Sequence, residues 1–381
     1  MRIAMVGQRG VPATFGGVER AVEELGAELV TRGHEVVVYC RRGYGGVTAD
    51  TYRGMHLIHF PAPKSAGLEA FVHSGLATAH LLARKPDIVH FHAMGPGLFS
   101  PLPKYLRRTA VVQTIQGMDN ERAKWGAFAR RVLDAGAWMS HTVPDATIVV
   151  SRDLGEIYHD RWGRATTVIP NGVPAFDPPT GDDQLSALGL APRSYLLFLG
   201  RLVPEKAPDQ LLRAFRGLDT DVRLVVAGDS SHTDDYVSEV QRLAKGDDRI
   251  LLPGYVYGDA KAQLLANALA FVQPSLLEGL PIALLEALSA RVPIVASSIP
   301  PHVEVLGEDG DAVRLVKTGD EDDLRRGLEW AVSADLLQVR LDSAAAFSAD
   351  VLSRFEWADI AARTEAVYEE VLRRRRTRGH P

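Results

Sequence analysis

The chain has one cysteine in 381 residues, Cys40. A single thiol excludes an intrachain disulfide and any metal site built from several cysteines. Cys40 is expected to be a buried thiol at a strand end. Long apolar runs are also missing. No stretch approaches the ~18–20 residues a helix needs to span a bilayer. The opening residues MRIAMVGQRG are interrupted too early, by Gly7, Gln8 and Arg9, to read as a secretory leader. A cytoplasmic location is the expectation. No short repeat recurs, which excludes a solenoid.

Positive charge is scarce where the acids gather. Residues 176–350 hold 16 Lys and Arg against 28 Asp and Glu, a net −12. Residues 1–175 hold 20 against 15, a net +5, and the last 31 hold 7 against 5, a net +2. A polyanion bound by the acidic segment must be held by a few placed groups, not by a general field. No nucleic acid partner is expected. The basic segments could favour an anionic partner or a membrane surface.

What is present is α/β alternation. Strands are expected at Arg2–Val6, Glu35–Cys40, Asp87–Phe91, Ala110–Thr114, Ala146–Val150 and Thr166–Ile169, with helical patterns between them, the first near Val18–Arg32. Such βαβ units imply a parallel sheet. At Asn171–Asp183 the pattern breaks into Pro, Gly and Asp, the composition of a linker. The cycle then restarts. Strands are expected at Tyr195–Gly200, Arg223–Ala227, Ile250–Leu252, Ala270–Gln273, Pro293–Ala296 and Ala312–Val316. Helices are expected at Ala207–Arg216, Asp235–Lys245 and Lys261–Asn267. The reading is two Rossmann-like parallel-sheet domains facing across a cleft, residues 1–172 and 173–350. A last helix, about Val351–Arg376, could return to pack on the first domain, so that 351–381 belongs with it. The run Arg373–Arg376 with Arg378 is expected to be a disordered helix end.

The most informative stretch is FVQPSLLEGLPIALLEALSAR, Phe271–Arg291. It reads as an apolar strand, a tight loop and a helix opened by Pro281, which suits a first helical turn because its missing N–H has no partner there. The loop N–H groups at Gly279 and Leu280, with the positive end of a helix dipole, favour an anion. Glu278 in the loop and Glu286 in the helix flank that point and could accept from hydroxyls. This combination describes a sugar-nucleotide pocket, although Glu in a first or second helical turn is common for dipole reasons alone.

Other candidates sit at strand ends. Gly200 ends a strand and leads into Arg201 and Lys206, two cations that could reach one diphosphate, Arg as a planar fork and Lys as a point charge. Gly254 could let the backbone of Tyr255 and Val256 pair with a base edge. Gly16 and Gly17 precede a helix and allow close backbone approach to a ligand. His90 and His92 end the strand DIVHFH and share a face. Zinc is not expected there, because no carboxylate or cysteine is near in sequence. Asn171-Gly172-Val173 suits a domain-crossing turn. Asp309-Gly310-Asp311 reads as a turn, not a magnesium site, and no metal is expected.

In order and spacing, Gly16-Gly17, DIVHFH, IPNGV, GRLVPEK, VVAGD, LPGYV and EGLPIALLE together resemble the retaining glycosyltransferases of family 4, which have the GT-B fold. The opening GQRGVPATFGGVER, with Gln116-Gly117-Met118-Asp119 and Arg122 to Trp125, resembles a bacterial polysaccharide and rhamnosyltransferase-like subgroup. The resemblance implies that a nucleoside-diphosphate sugar is the donor and that a hydroxyl acceptor (a glycan, a lipid-linked glycan or a natural-product intermediate) receives the sugar. It implies that Arg201 and Lys206 neutralise the diphosphate and that Glu286 accepts from ribose. Glu278, Gly279 and Leu280 would hold donor sugar and phosphate. His92 would lie near the transferred sugar, and Gly16 and Gly17 near the diphosphate. The implied mechanism is same-face and metal-independent. The stretch Glu121–Met139, with Lys104, Tyr105, Arg107 and Arg108, could touch a membrane carrying the acceptor, or be a helix with one core face and one basic solvated face.

Three alternatives stay open on the residues alone. One is a GT-B sugar-nucleotide epimerase, and another is a non-catalytic sugar-nucleotide-binding protein. The third is an NADP-dependent oxidoreductase using Gly7-x-x-Gly10 with Arg41 and Arg42. For the last, the glycine spacing is wrong and no acid ends the second strand.

Overall fold

The structure, a computed structural model, describes residues 1–14, 16–46, 48–63, 68–118, 127–173, 176–229 and 234–378. The chain divides into two compact units. One is Met1–Gly172 with Phe355–Pro381, and the other is Val173–Arg354.

The first unit is an eight-stranded sheet: β1 (Arg2–Val6), β2 (Glu35–Arg41), β3 (Thr51–Tyr52), β4 (Met55–Phe60), β5 (Ile88–His92), β6 (Ala110–Ile115), β7 (Ala146–Val149) and β8 (Thr167–Val168). Its order is β3-β4-β2-β1-β5-β6-β7-β8. All its pairings are parallel except β3–β4. That hairpin was not anticipated. It turns on Arg53 and Gly54, both at positive φ, as a two-residue hairpin turn demands.

One face of this sheet packs on the helix Gly17–Thr31 and on the C-terminal helix Trp357–Arg378, through Trp357, Ile360, Ala361, Tyr368 and Val371. The C-terminal helix is therefore part of the first unit. It starts later than the pattern suggested. A helix Leu337–Leu352 and a short turn Ser353–Phe355 come first, and the chain re-enters the first unit at Phe355. Buried Trp357 sets the entry, because it lies so close to Gly172 that a Cβ there would come within 2.5 Å of its ring. The arginine run is also not a loose end. The helix continues to Arg378. Arg375 pairs with Asp145 at 3.1 Å and donates to the Arg108 carbonyl, while Arg373 and Arg374 pair with Glu370.

The second unit is a six-stranded sheet: β9 (Tyr195–Leu199), β10 (Arg223–Ala227), β11 (Ile250–Gly254), β12 (Ala270–Gln273), β13 (Ile294–Ser297) and β14 (Val313–Val316). The order is β11-β10-β9-β12-β13-β14, with every pairing parallel. β9 and β12 are buried along their whole length, as central parallel strands covered on both faces must be. Cys40 is buried near the end of β2, and burial pushes its thiol up to about 11.

Candidate active site

In the second sheet the strand order reverses between β9 and β12. At such a switch point, ligands sit in the crevice outside the strand C-termini. The loops after these two strands are Gly200–Lys206 and Pro274–Pro281, and they carry most of the candidate residues. Backbone bonds join them. The N–H groups of Leu276 and Leu277 donate to the Glu205 carbonyl at 2.8 and 3.3 Å.

Side chains then converge on Glu278. Its Oε1 accepts from Lys206 Nζ at 2.5 Å, Gln273 Nε2 at 2.7 Å and Ser275 Oγ at 2.8 Å. Among the described residues, no donor reaches Oε2. Burial alone would raise this carboxyl, but the Lys206 charge and the hydrogen bonds outweigh it and hold Glu278 below the usual carboxylate range. Behind the loop, Ser297 Oγ donates to the Ser275 carbonyl at 2.5 Å. His302 Nδ1 donates to the Ser297 carbonyl at 2.8 Å. Burial pushes His302 down to about 4, so it is a neutral ring at neutral pH. Arg201 stays more open, with its Nη2 3.7 Å from Glu205 Oε1.

Glycines form the floor. Gly228 has φ +153°, and a Cβ there would fall 1.8 Å from the Gly200 carbonyl oxygen. Gly200 N–H donates to Ala227 at 3.1 Å and Gly228 N–H to Gly254 at 2.8 Å. The ends of β9, β10 and β11 are thereby laced together. Beyond them, Tyr255 is half exposed and stacks on Tyr257 at 5.7 Å, and Val256 is partly buried.

Gly279 and Leu280 are buried in the loop, and the helix that follows is Ile282–Ser289. Pro281 is its cap rather than its first residue, because its ψ of 78° is not helical. Glu286 Oε1 accepts from Lys261 Nζ at 2.8 Å. Lys261 comes from the helix Gly258–Asn267.

The first unit has its own switch point, between β1 and β5. Gly7 follows β1, and a Cβ there would lie 2.2 Å from the His92 carbonyl oxygen. Gly16, at φ +99°, precedes the helix that Gly17 begins. Two glutamates of that helix hold the loop: Glu19 accepts from Arg9 N–H at 3.1 Å and Glu23 from Ala13 N–H at 2.5 Å. His92 is 1% exposed. Its ring lies tilted against His90, with centroids 4.1 Å apart, and borders a small cavity of about 20 Å³ beside Thr114 and Trp357. Neither ring nitrogen has a partner among the described residues. Burial pushes it down to about 3, so its imidazole is neutral at neutral pH. His90 is held by Tyr368 and Thr114, each at 2.7 Å.

The structure thus gathers Gly200, Arg201, Lys206, Glu278, Gly279 and Leu280 at one switch point. Gly254, Tyr255 and Val256 lie at and just after the end of β11, and Glu286 lies within the helix Ile282–Ser289, tied by Lys261 to the helix that follows β11. Gly16, Gly17 and His92 belong to the other unit. Asn171 is structural, exchanging two hydrogen bonds with Gln116. Asp309 is engaged by Arg314 and by Leu315 N–H in a turn. Residues 119–126 and the side chains of 127–132 lie outside the described residues, and with them most of the basic aromatic stretch.

Sequence reasoning missed Gln273, Ser275, His302 and Lys261. Gln273 had a signal, since a polar residue ending an otherwise apolar buried strand needs a buried partner. Lys261 and His302 had none, as their distance from Glu286 and Glu278 along the chain hides the contact.

Two family models match the chain. "Glycosyltransferase Family 4" matches residues 15–175, and "Glycosyl transferases group 1" matches residues 187–346. Among curated proteins, an alpha-maltose-1-phosphate synthase of Mycolicibacterium smegmatis is 26% identical over 97% of this chain and 100% of its own. A D-inositol 3-phosphate glycosyltransferase of Xylanimonas cellulosilytica is 28% identical over 95% of this chain and 94% of its own. Among solved structures, a sucrose-phosphate synthase from Thermosynechococcus elongatus superposes with a TM-score of 0.80 at 20% identity, over 97% of this chain and 98% of that one. HepE from Anabaena, solved with UDP and glucose, superposes with a TM-score of 0.79 at 18% identity, over 97% of this chain and 100% of that one.

Two tandem parallel-sheet units with a returning C-terminal helix and these matches define a glycosyltransferase of GT-B type. The first unit carries the family 4 glycosyltransferase domain and the second the group 1 glycosyltransferase domain.

Proposed function

We propose that this enzyme moves a sugar from a nucleoside-diphosphate sugar to a hydroxyl acceptor, with retention at the anomeric carbon and without a metal ion. The observation that carries the reading is the convergence on Glu278. Lys206, Gln273 and Ser275 occupy Oε1, which leaves Oε2 to accept from donor-sugar hydroxyls. Lys206 and Arg201 supply the positive charge that a diphosphate leaving group needs, in the place of a metal. Glu286 accepts from the ribose and exchanges its Lys261 contact for that role. The UDP-sugar complexes of HepE favour a nucleotide-sugar donor here.

No pair of carboxylates is needed on either side of the scissile bond, as a hydrolase would require. The chain positions the donor, stabilises the departing phosphate and keeps water out. Attack comes from the face the phosphate leaves, and the phosphate takes the acceptor proton. Buried and neutral, His92 offers a hydrogen bond rather than a charge. Gly16 and Gly17 bring backbone to the diphosphate. The acceptor is a glycan, a lipid-linked glycan or a natural-product intermediate. The reading places the enzyme in the cytoplasm, working at the inner membrane face when its acceptor is lipid-linked. The test is product stereochemistry by NMR in EDTA, with wild type, Lys206→Ala and Glu286→Ala. Retention in EDTA, with each variant losing most transfer while staying folded, is expected. Inversion, a strict magnesium requirement or near-normal variants would overturn the reading.

A further inference from the structure

The N-terminal edge of the first sheet carries a second chemistry. The segments just before β5 and β6 and the last turns of the C-terminal helix enclose an open cavity of about 610 Å³. It lies at the opposite strand ends from Gly7 and His92. Lys85, Arg107, Arg108 and Arg376 line it, all exposed. None of the four forms an ion pair among the described residues. Their neighbours behave differently, with Arg373 and Arg374 on Glu370 and Arg375 on Asp145. Asp87 is the one acid in the lining, and it accepts from Arg2 N–H at 2.7 Å. Lys85 and Arg108 also sit at φ 48° and 53°, a region non-glycine residues enter at a cost.

Apolar surface lies among these cations. Tyr105 is 64% and Leu106 is 65% exposed, and both line the same cavity. Leu102 nearby is 38% exposed. A solvated basic face does not need them, and a soluble anion leaves them in water. An acyl and headgroup boundary satisfies both, because the rings and leucines enter the boundary while the cations meet lipid phosphates. We propose that this edge is the surface on which the first unit lies against an anionic lipid membrane. It does not depend on the donor reading, since all of its residues belong to the first unit. It shares only Tyr105, Arg107 and Arg108 with the basic stretch read from the sequence. Lys85 before β5, Leu106 before β6 and Arg376 of the C-terminal helix complete it.

The experiment is flotation of the full chain with phosphatidylcholine vesicles, with and without phosphatidylglycerol. Wild type should float with the anionic vesicles, not with the neutral ones, and should release in high salt. Each basic residue near such a surface is worth about fivefold in partition. Arg107→Glu with Arg108→Glu should therefore lower binding at least about twenty-five-fold. Tyr105→Ser with Leu106→Ser should lower it at unchanged charge. Lys245→Glu in the second unit should leave it unchanged. Circular dichroism establishes that each variant is folded, and the two double variants fail independently. Equal binding by the charge-reversed variant, equal binding to neutral vesicles or no flotation would each overturn the proposal. So would thermal stabilisation by pyrophosphate, lost in Arg107→Glu with Arg108→Glu, without flotation, which would mark a soluble-anion site instead. Because the readout is partition, a failure of the donor reading would leave this test intact.

Discussion

Replacing Lys206 with Met isolates the interaction on which the site is built. The substitution keeps most of the side-chain volume and removes the charge. Lys206 and Glu278 are only 15% and 9% exposed at their side chains, so the discount for a solvated surface pair does not apply. Breaking a buried pair from one side costs about 3–5 kcal/mol. Gln273 and Ser275 still donate to Glu278 in the variant, which places the cost near the lower bound, about 3 kcal/mol. For a unit of this size each kcal/mol moves the midpoint by roughly 2–4 °C, a fall of about 6–12 °C. Adding Glu278→Gln should recover part of the loss, because no unpaired charge is then buried, with a coupling of about 2 kcal/mol in the double-mutant cycle.

The pH dependence has a definite sign. Glu278 is held below its usual range in the folded state. Its contribution to stability is therefore present above the unfolded carboxylate value, about 4.3. It is lost as pH falls through the lower folded value. In Lys206→Met the opposing charge is gone and burial raises the carboxyl, so the variant recovers relative to wild type as pH falls. Calorimetry and urea titration across pH read both effects. An unchanged midpoint, a coupling near zero or a gap that widens in acid would refute the reasoning.

Three further outcomes are expected. Gly228→Ala puts a methyl group 1.8 Å from the Gly200 carbonyl oxygen and should lower the thermal midpoint and nucleotide-sugar affinity together. A fully stable, active variant would contradict the strand-end contact. Gly172→Ala forces a methyl group toward the Trp357 ring and should lower protection of the C-terminal helix in hydrogen exchange, and unchanged protection would count against that packing. His92 stays neutral across the working range, so the pH–rate profile should show no limb near ~6.5 that disappears in His92→Gln.

Much of the fold was legible because parallel strands buried on both faces read as short apolar runs between helical periods. YLLFL and RIAMV are plain in this way. The hairpin β3–β4 escaped because Arg53-Gly54 lacks the Asn-Gly or Asp-Gly that usually marks such a turn. The helix break at Ser353–Phe355 escaped because helical periodicity runs on through it, while the burial of Trp357 against Gly172 redirects the chain. The strand-end glycines, Lys206 and Glu278 could be picked out because each lies in a loop of unusual composition. Gln273 and Lys261 act through contacts that local pattern does not encode. His92 shows the same limit from the other side. Its position at a strand end reads as accessible, yet it is buried and borders a small cavity that Ala21, Leu25 and Trp357 also line.

Arg201 and Lys206 are proposed to bind the diphosphate of a sugar nucleotide at the β9–β12 switch point. Titration calorimetry of UDP, dTDP and GDP against wild type and Arg201→Ala tests it most directly, because Arg201 is exposed enough to remove without unfolding the unit. One of the three nucleotides should bind wild type, and the variant should bind it at least about tenfold more weakly, the effect of losing a charge-assisted contact of ~1.4 kcal/mol or more. Equal affinity in the two proteins, or no binding of any nucleoside diphosphate to wild type, would contradict the account.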